Sequence, residues 1–194
     1  MKIIAFTGKA GSGKSTAMQV ALKLSPRDDY FIYSFADPIR LGLYMMFGEK
    51  MVRASTDQNL KNVLDPTYGV SPRHIMQTLG TDWGRNLINQ DIWVIRARQI
   101  WEDECPNGLV MISDCRFDNE AMLVRELGGL VIEILRPENP HEVVMREAGT
   151  SEHESENGIS RELISHTILN DAKSEDEFKQ RVLDCQIIKD YLLN

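Results

Sequence analysis

Long apolar runs, paired cysteines and an excess of basic residues are all missing from this sequence of 194 residues. No apolar run approaches the roughly 20 residues that a membrane-spanning helix needs, so we expect no membrane association. Residues 1–16 hold one short apolar run that leads directly into a glycine-rich segment, so we expect no cleaved signal peptide. Cys105, Cys115 and Cys185 are odd in number and far apart, which favours reduced thiols in a cytoplasmic compartment over a disulfide framework or a metal site.

Net charge excludes a further class of protein. Asp and Glu outnumber Lys and Arg by 29 to 22, which gives a formal net charge of −7 and a pI near 5.2. Proteins that hold DNA or RNA along a broad face do so by neutralising phosphates with basic side chains. We therefore expect no nucleic-acid polymer as a partner, while a compact basic pocket for a small phosphate compound remains allowed.

Apolar periodicity predicts an α/β fold. The predicted strands cover residues 2–6, 30–35, 109–113, 130–135 and 166–169, and the predicted helices cover residues 14–24, 38–47, 72–88, 92–103, 119–127 and 174–192. Short buried strands that alternate with helices are typical of a mainly parallel, five-stranded sheet with helices on both faces and ligands at its carboxyl edge. The polar segments 48–69 and 147–160 lack a clear period; the first is predicted to be a loop or lid and the second a loop. With 42% apolar residues the chain fills one core, so we expect a single domain over 1–194.

Residues 8–15 read GKAGSGKS, which satisfies the phosphate-binding pattern GxxxxGK[ST] between a predicted strand and a predicted helix. Glycines let the backbone N–H groups turn inward and let phosphate oxygens approach without a Cβ in the way. Lys14 is then expected on the β- and γ-phosphates as a catalytic residue, Ser15 on Mg²⁺ and Thr16 on the α-phosphate. The full set of candidate ATP ligands is Gly8, Lys9, Gly11, Ser12, Gly13, Lys14, Ser15 and Thr16.

Asp114 ends the apolar strand segment 109–113, where folds of this kind place a carboxylate that orients Mg²⁺ or the phosphate acceptor. The competing interpretation is that Asp114 only caps the helix that follows, with Asp118 and Asn119 as rivals for that cap. Phosphoryl transfer also gathers arginines around the moving charge. The candidate arginines are Arg40, Arg73, Arg85, Arg116 and Arg136. Trp83 and Trp93 are interpreted as core aromatics.

Four further blocks carry the most specific signal. They read SFADPIR at residues 34–40, SPRHIMQTLGTDWGR at 71–85, DIWV at 91–94 and SDCRFDNE at 113–120. Together with the glycine-rich loop, and in this order, they resemble the viral, bacteriophage-type deoxynucleoside monophosphate kinases. The resemblance spans residues 1 to about 170.

The resemblance implies a three-layer P-loop kinase fold that transfers the ATP γ-phosphate, with Mg²⁺, to a deoxynucleoside monophosphate. It implies an acceptor-binding insertion at about residues 36–95 and a lid at about 136–160. Carried over by position, the resemblance implies that Arg40, Arg73 and Arg85 bind the acceptor phosphate. The rest of the acceptor pocket would be formed by Ile39, Gln77, Asp91, Trp93 and Arg116. Arg136 would contact the transferred phosphate, and Asn170 would lie near the adenine. A homodimer, and a host cytoplasm if the source is a virus, are compatible with it.

Two other functions remain open at this point. One is a P-loop kinase of another small acceptor, such as the dephospho-coenzyme A type, and the other is a non-catalytic ATP-binding regulatory module. No NKxD segment is present in the sequence, which argues against a GTPase. Acceptor-dependent release of ADP separates these alternatives.

Overall fold

The computed structural model describes residues 1–137 and 158–193. The strands are β1 (Lys2–Thr7), β2 (Tyr30–Tyr33), β3 (Leu109–Ile112), β4 (Leu130–Leu135) and β5 (His166–Leu169). The helices are α1 (Lys14–Leu24), α2 (Asp37–Phe47), α3 (Glu49–Thr56), α4 (Pro72–Gln77), a π-helix (Thr78–Ile88), α5 (Ile92–Glu104), α6 (Asp118–Glu126), a 3₁₀ turn (Arg161–Leu163), α7 (Glu175–Leu183) and α8 (Gln186–Leu193). None of these helices is both long and apolar enough to cross a membrane.

The five strands form one parallel sheet in the order β2-β3-β1-β4-β5. Strand β1 lies in the middle, and its residues Ile3 to Phe6 are fully buried because it has a neighbour on each side. Parallel strands need crossover connections, which place helices on the faces of the sheet and bury the strands on both sides. The predicted α/β fold with a five-stranded parallel sheet is confirmed.

The chain divides into two compact units, residues 1–34 with 100–194, and residues 35–99. The first unit contains the sheet, whose core joins strand residues such as Phe6 and Ile132 to Ala17 of α1 and Ile188 of α8. The second unit has a smaller core that packs Leu43 against neighbouring helices. This second unit covers the span that the sequence predicts as an acceptor-binding insertion, 36–95.

Three local predictions differ from the structure. Within the loop predicted over 48–69, residues Glu49–Thr56 form α3, because Met51 buries its side chain among the apolar residues of the second unit. The predicted helix 72–88 changes from α to π geometry at Thr78. The predicted helix 174–192 is two helices, because α7 ends in a tighter turn in which the backbone N–H of Cys185 donates to the carbonyl oxygen of Val182, three residues back. The predicted lid, 136–160, lies outside the described residues except at its two ends.

The C-terminal helix α8 completes the hydrogen bonding of the central strand. Before β4 begins to pair with β1 at Ile4, the backbone N–H of Ile3 donates to the phenol oxygen of Tyr191 over 2.9 Å. Lys2 Nζ donates to the carbonyl oxygens of Tyr191 and Leu192 at the end of the same helix. Burial raises the pKa of Tyr191, so its phenol stays neutral at physiological pH. The Tyr191 side chain thus satisfies a backbone donor of β1, the Ile3 N–H, that the pairing of the strands does not satisfy.

We expect Tyr191→Phe to lower the free energy of unfolding by about 1–3 kcal/mol, because it leaves the buried Ile3 N–H without a partner. Urea denaturation followed by circular dichroism measures the change. The matched control is Tyr30→Phe, since Tyr30 is an exposed tyrosine on the edge strand, and it should change stability by less than about 0.5 kcal/mol. Equal effects of the two substitutions would contradict the role given to Tyr191.

Candidate active site

The carboxyl ends of parallel strands lie at one edge of a sheet, and polar residues follow each strand there. Gly8 comes directly after β1, Ser34 after β2, Arg136 after β4 and Asn170 after β5. Continuing the register that pairs Ala5 with Ile112 places Asp114 level with Thr7, the last residue of β1. The sheet of the first unit therefore gathers the glycine-rich loop and the predicted carboxylate at one edge.

The loop between β1 and α1 adopts a backbone that only glycine tolerates. Gly8, Gly11 and Gly13 have φ of 130°, 77° and 104°, all in the region that favours glycine. A Cβ on Gly8 would lie 2.4 Å from the carbonyl oxygen of Ile134. The three glycines of the loop, two of them fixed by the motif, are thus required by local geometry, and they leave the loop open to a close phosphate oxygen.

The N-terminus of α1 has no side-chain cap. Its N-cap residue is Gly13, and its first turn contains no acidic residue. By contrast, Ser71 caps α4 and Ser174 caps α7 through side-chain hydrogen bonds, and α6 has acidic residues in its first turn. The first amide donors of a helix have no partner within the helix and attract anions together with the helix dipole. The start of α1 therefore matches what a phosphate group needs.

Lys14 lies inside the loop that precedes it. Its Nζ donates to the carbonyl oxygens of Gly8 at 2.6 Å and Lys9 at 2.7 Å, and the residue is 9% exposed. Ser12 is also buried, and its hydroxyl has no hydrogen-bond partner among the described residues. Ser15 is exposed on the first turn of α1, and Thr16 is half-buried beside it. An ammonium group at the centre of the loop gives it a positive charge where the motif requires one.

Asn170 and Arg136 both reach the loop backbone. Asn170 Nδ2 donates to Ser12 O over 2.7 Å, and Arg136 Nη1 donates to Gly11 O over 3.1 Å. The sequence predicts Asn170 near the adenine and Arg136 at the transferred phosphate. In the structure Asn170 holds the loop from β5, while the exposed Arg136 lies over its tip.

Asp114 does not cap α6, so that interpretation is wrong. The Ser34 hydroxyl donates to Asp114 Oδ2 over 2.5 Å. The backbone before α6 is satisfied by Glu120, whose carboxylate accepts from the N–H groups of Arg116 and Phe117. The carboxylate of Asp118 accepts from the backbone and the hydroxyl of Ser160. Asp114 is therefore held toward the carboxyl edge of the sheet by a side chain from the neighbouring strand.

Cys115 follows Asp114 and is fully buried. Burial raises the pKa of its thiol well above the ordinary value, and the nearby carboxylates of Glu120, Asp114 and Asp118 act in the same direction. A thiol held in its neutral form is a poor nucleophile. Covalent catalysis by Cys115 is therefore disfavoured.

The second unit contains most of the predicted acceptor residues. Ile39 and Arg40 lie on α2, where Arg40 Nη1 donates to Asp37 Oδ1 over 2.7 Å. Arg73 and Gln77 lie on α4, and Asp91 directly precedes α5. Arg116 belongs to the first unit, after β3.

Arg85 differs from the other candidate arginines because it is buried. It is 7% exposed in the π-helix, and its Nη1 donates to Gln90 O over 3.1 Å. Trp93 is also buried, at 8% exposed, and confirms its interpretation as a core aromatic. For Trp83 that interpretation is wrong, since 48% of the residue is exposed on the outer side of the π-helix. The helical period alone did not indicate which of the two faces inward.

The family model of deoxynucleotide monophosphate kinases matches residues 46–182, more than half of the chain. The chain is also 30% identical to a putative deoxynucleotide monophosphate kinase of Acanthamoeba polyphaga mimivirus over 95% of this chain and 96% of that protein. The chain belongs to the deoxynucleotide monophosphate kinase family. It is therefore an enzyme, and its activity is the phosphorylation of deoxynucleoside monophosphates.

Other similar proteins cover less of the chain or are more distant. The deoxynucleoside-5'-monophosphate kinase of Escherichia phage T5 is 32% identical over 52% of this kinase and 40% of that protein. Among solved structures, TT1252 from Thermus thermophilus has a TM-score of 0.49 at 18% identity, with 95% of each chain covered. The dephospho-CoA kinase of Campylobacter jejuni has a TM-score of 0.44 at 16% identity, with 100% and 97% covered.

Ser34 is the site residue of this kinase to which sequence reasoning gave no role. It stands in the SFADPIR block, but its contact with Asp114 depends on β2 and β3 being neighbours in the sheet. Strand order is not written in the local sequence. The only local signal was a hydroxyl residue near the end of the predicted strand 30–35.

We expect Ser34→Ala to lower the turnover of the kinase about tenfold with little change in melting temperature, because Asp114 loses a hydrogen bond to its charged carboxylate. Ser34→Thr, which keeps a hydroxyl, should restore part of that turnover. The matched control is Ser113→Ala, directly before Asp114. Steady-state kinetics and thermal denaturation measure both, and equal turnover in Ser34→Ala and Ser113→Ala would contradict the role of Ser34.

Proposed function

We propose that this kinase transfers the γ-phosphate of ATP, bound with Mg²⁺, to the phosphate of a deoxynucleoside monophosphate and releases ADP and the deoxynucleoside diphosphate. The observation that carries the proposal is the glycine-rich loop, which combines left-handed glycines, an uncapped helix N-terminus and a central ammonium group. Each of these features is of the kind that a chain of phosphates requires. The donor is thus assigned to residues 8–16.

Within the loop, Lys14 contacts the β- and γ-phosphates in place of the carbonyl oxygens of Gly8 and Lys9. The backbone of Gly11, Ser12 and Gly13 donates to the same phosphates, and Thr16 supports the α-phosphate from the first turn of α1. Arg136, which already reaches the loop at Gly11, stabilises the charge of the transferred phosphate.

The Mg²⁺ site is assigned to Ser15 and Asp114. Among residues 1–137 and 158–193, no cluster of three or more His, Cys, Asp and Glu side chains is arranged to hold a metal ion. A site with one hydroxyl and one carboxylate fits Mg²⁺, which takes its other ligands from water and from substrate phosphates. When bound, the ion neutralises charge on the β- and γ-phosphates. Ser34 keeps the carboxylate of Asp114 in place for this role.

The acceptor is assigned to the second unit. Arg85 is the principal phosphate ligand, since an arginine that is 93% buried has exchanged hydration for fixed polar partners and is held in place. Arg40 and Arg73 add charge from α2 and α4. The remaining contacts to sugar and base within this unit are assigned to Ile39, Gln77 and Asp91.

No protein nucleophile is needed for this reaction. An oxygen of the acceptor phosphate forms a bond to the γ-phosphorus, the bond from that phosphorus to the β–γ bridging oxygen breaks, and the electron pair leaves with ADP. The protein supplies orientation and charge stabilisation, which account for most of the rate in phosphoryl transfer. The buried, neutral Cys115 thiol is consistent with this mechanism.

The proposal extends to the cellular compartment. The three cysteines are free and buried, as expected for thiols of the cytoplasm. If the source is a virus, this compartment is the cytoplasm of its host.

The test of the proposal is the release of ADP from ATP and Mg²⁺ with dAMP, dCMP, dGMP, dTMP and GMP supplied singly. We expect ADP release that depends on a deoxynucleotide. Lys14→Ala should reduce it by at least about a hundredfold, since it removes a charge that contacts the transferred phosphate. The control is Lys23→Ala, at the exposed end of the same helix, which should keep wild-type turnover. ATP binding without acceptor-dependent ADP release would overturn the proposal.

The acceptor assignment has its own test. Arg85→Ala should raise the KM of the deoxynucleotide about tenfold or more and leave the KM of ATP within about twofold, because it removes a charge-assisted hydrogen bond to the acceptor alone. Arg96→Ala is the matched control, an exposed arginine of the same unit whose side chain bonds only weakly to Gln99 at 3.4 Å. An equal rise in both KM values, with a native melting profile, would remove Arg85 from the acceptor site.

A further inference from the structure

The segment Thr78–Ile88 is a π-helix of eleven residues. In this geometry each N–H bonds to the carbonyl five residues back, as Asn89 N does to Gly84 O over 3.0 Å. π-Helices are rare and are mostly single turns inserted in α-helices, often at functional sites. A π-helix of this length therefore needs contacts that prevent its conversion to an α-helix.

Trp93 of α5 supplies such contacts. Its indole Nε1 donates to Gly80 O over 2.8 Å, in a hydrogen bond that is buried. Its six-membered ring lies directly on Gly84, where a Cβ would come within 2.5 Å of Trp93 Cζ2. A single buried side chain thus binds two successive turns of the π-helix, one by a hydrogen bond and one by packing.

The two glycines of the π-helix are the positions that make this packing possible. A Cβ on Gly84 would also approach Leu79 O at 3.0 Å, and a Cβ on Gly80 would lie 2.9 Å from Ile39 Cδ1. Both glycines weaken an ordinary α-helix by about 1 kcal/mol each relative to alanine. Their presence lowers the cost of leaving α geometry and opens the surface on which Trp93 lies.

Arg85 depends on this geometry for its direction. Arg85 lies five residues after Gly80, whose carbonyl oxygen Trp93 binds, and the wide turn of the π-helix sets the angle between these two positions around the helix axis. In an α-helix the tighter turn sets a different angle. A return to α geometry would therefore rotate Arg85 relative to Gly80 and away from its bond to Gln90 O.

We propose that Trp93, packed on Gly80 and Gly84, is a positioning residue that holds the π-helix and thereby aims the Arg85 guanidinium at the acceptor phosphate. This rests on the proposed role of Arg85 as the principal phosphate ligand. It gives Trp93 a different task from the pocket wall that the sequence resemblance implies. The indole N–H donates to the carbonyl oxygen of Gly80, and the ring packs on Gly84.

The test compares acceptors with and without a phosphate. The probes are the acceptor of highest turnover among dAMP, dCMP, dGMP and dTMP, and the deoxynucleoside of the same base as a competitive inhibitor. Trp93→Phe keeps an aromatic ring and removes the indole N–H. We expect it to raise the KM of the deoxynucleotide about tenfold, the factor for one lost charge-assisted hydrogen bond. The inhibition constant of the deoxynucleoside and the KM of ATP should change by less than about twofold.

Gly84→Ala is a second variant, which disturbs the packing of Trp93 on Gly84 from the side of the π-helix. It should raise the KM of the deoxynucleotide by the same factor and leave the other two constants nearly unchanged. Its matched control is Gly42→Ala, a helical glycine of the same unit whose Cβ would meet no atom closer than Met46 Cε at 3.8 Å. Gly42→Ala should leave all three constants unchanged. Circular dichroism of each variant verifies that the fold is kept, and Trp93→Phe carries the test if Gly84→Ala fails to fold.

Two outcomes would overturn the inference. A deoxynucleoside inhibition constant that rises as much as the deoxynucleotide KM would make Trp93 part of the base pocket. An unchanged deoxynucleotide KM in Trp93→Phe, with a tenfold rise in Arg85→Ala, would show that Arg85 is aimed without Trp93.

The double variant separates this inference from the proposed function. The double variant Arg85→Ala with Trp93→Phe should raise the KM of the deoxynucleotide no more than Arg85→Ala alone does, because both substitutions act through the contact of Arg85 with the acceptor phosphate. Additive effects would show that Trp93 acts independently of Arg85. A wild-type deoxynucleotide KM in Arg85→Ala alone would instead contradict the proposed role of Arg85.

Discussion

The amide donors at the start of α1 are the constraint on which the rest of the site depends. A helix leaves its first N–H groups without partners inside the helix, and most helices satisfy them with a side-chain cap or an acidic first turn. Helix α1 has neither, and its N-cap is a glycine with φ of 104°. Such an end lacks the stabilisation that a side-chain cap gives and leaves its donors available to an anion. The loop glycines and the buried ammonium group of Lys14 lie beside these donors.

The parallel sheet turns this local feature into a site. Because all five strands run in the same direction, the loop after β1 lies beside the segments that follow β3 and β4. Asp114, Arg136 and Asn170 come to the same edge from three different strands, and two of them bond to the loop itself. The second unit contains a π-helix with a buried arginine, Arg85, and a glycine, Gly80, whose carbonyl oxygen accepts from the indole of Trp93. The site in the first unit depends on the backbone dipoles of the loop and of α1, whereas the arrangement in the second unit depends on buried side chains.

Sequence reasoning was accurate where a local pattern decides the structure. The bounds of α1, β4 and β5 are those predicted, since apolar periodicity and the glycine-rich motif define them. It failed where long-range packing decides. Helix α3 forms because one residue, Met51, is buried, and the bond from Ser34 to Asp114 exists because β2 and β3 are neighbours. The sequence predicts a helix over 72–88 but not its π geometry after Thr78, because a period of about four residues fits both kinds of helix.

Hydrogen–deuterium exchange of the wild-type kinase, with and without saturating ATP and Mg²⁺, tests the central claim most directly. If the amides of the loop and of the first turn of α1 bind the phosphates, exchange should slow in peptides that cover residues 8–16 and change less in the equally helical peptides of α7 and α8. If ATP binds and exchange over residues 8–16 is unchanged, the phosphates are held elsewhere and the account of the site is wrong.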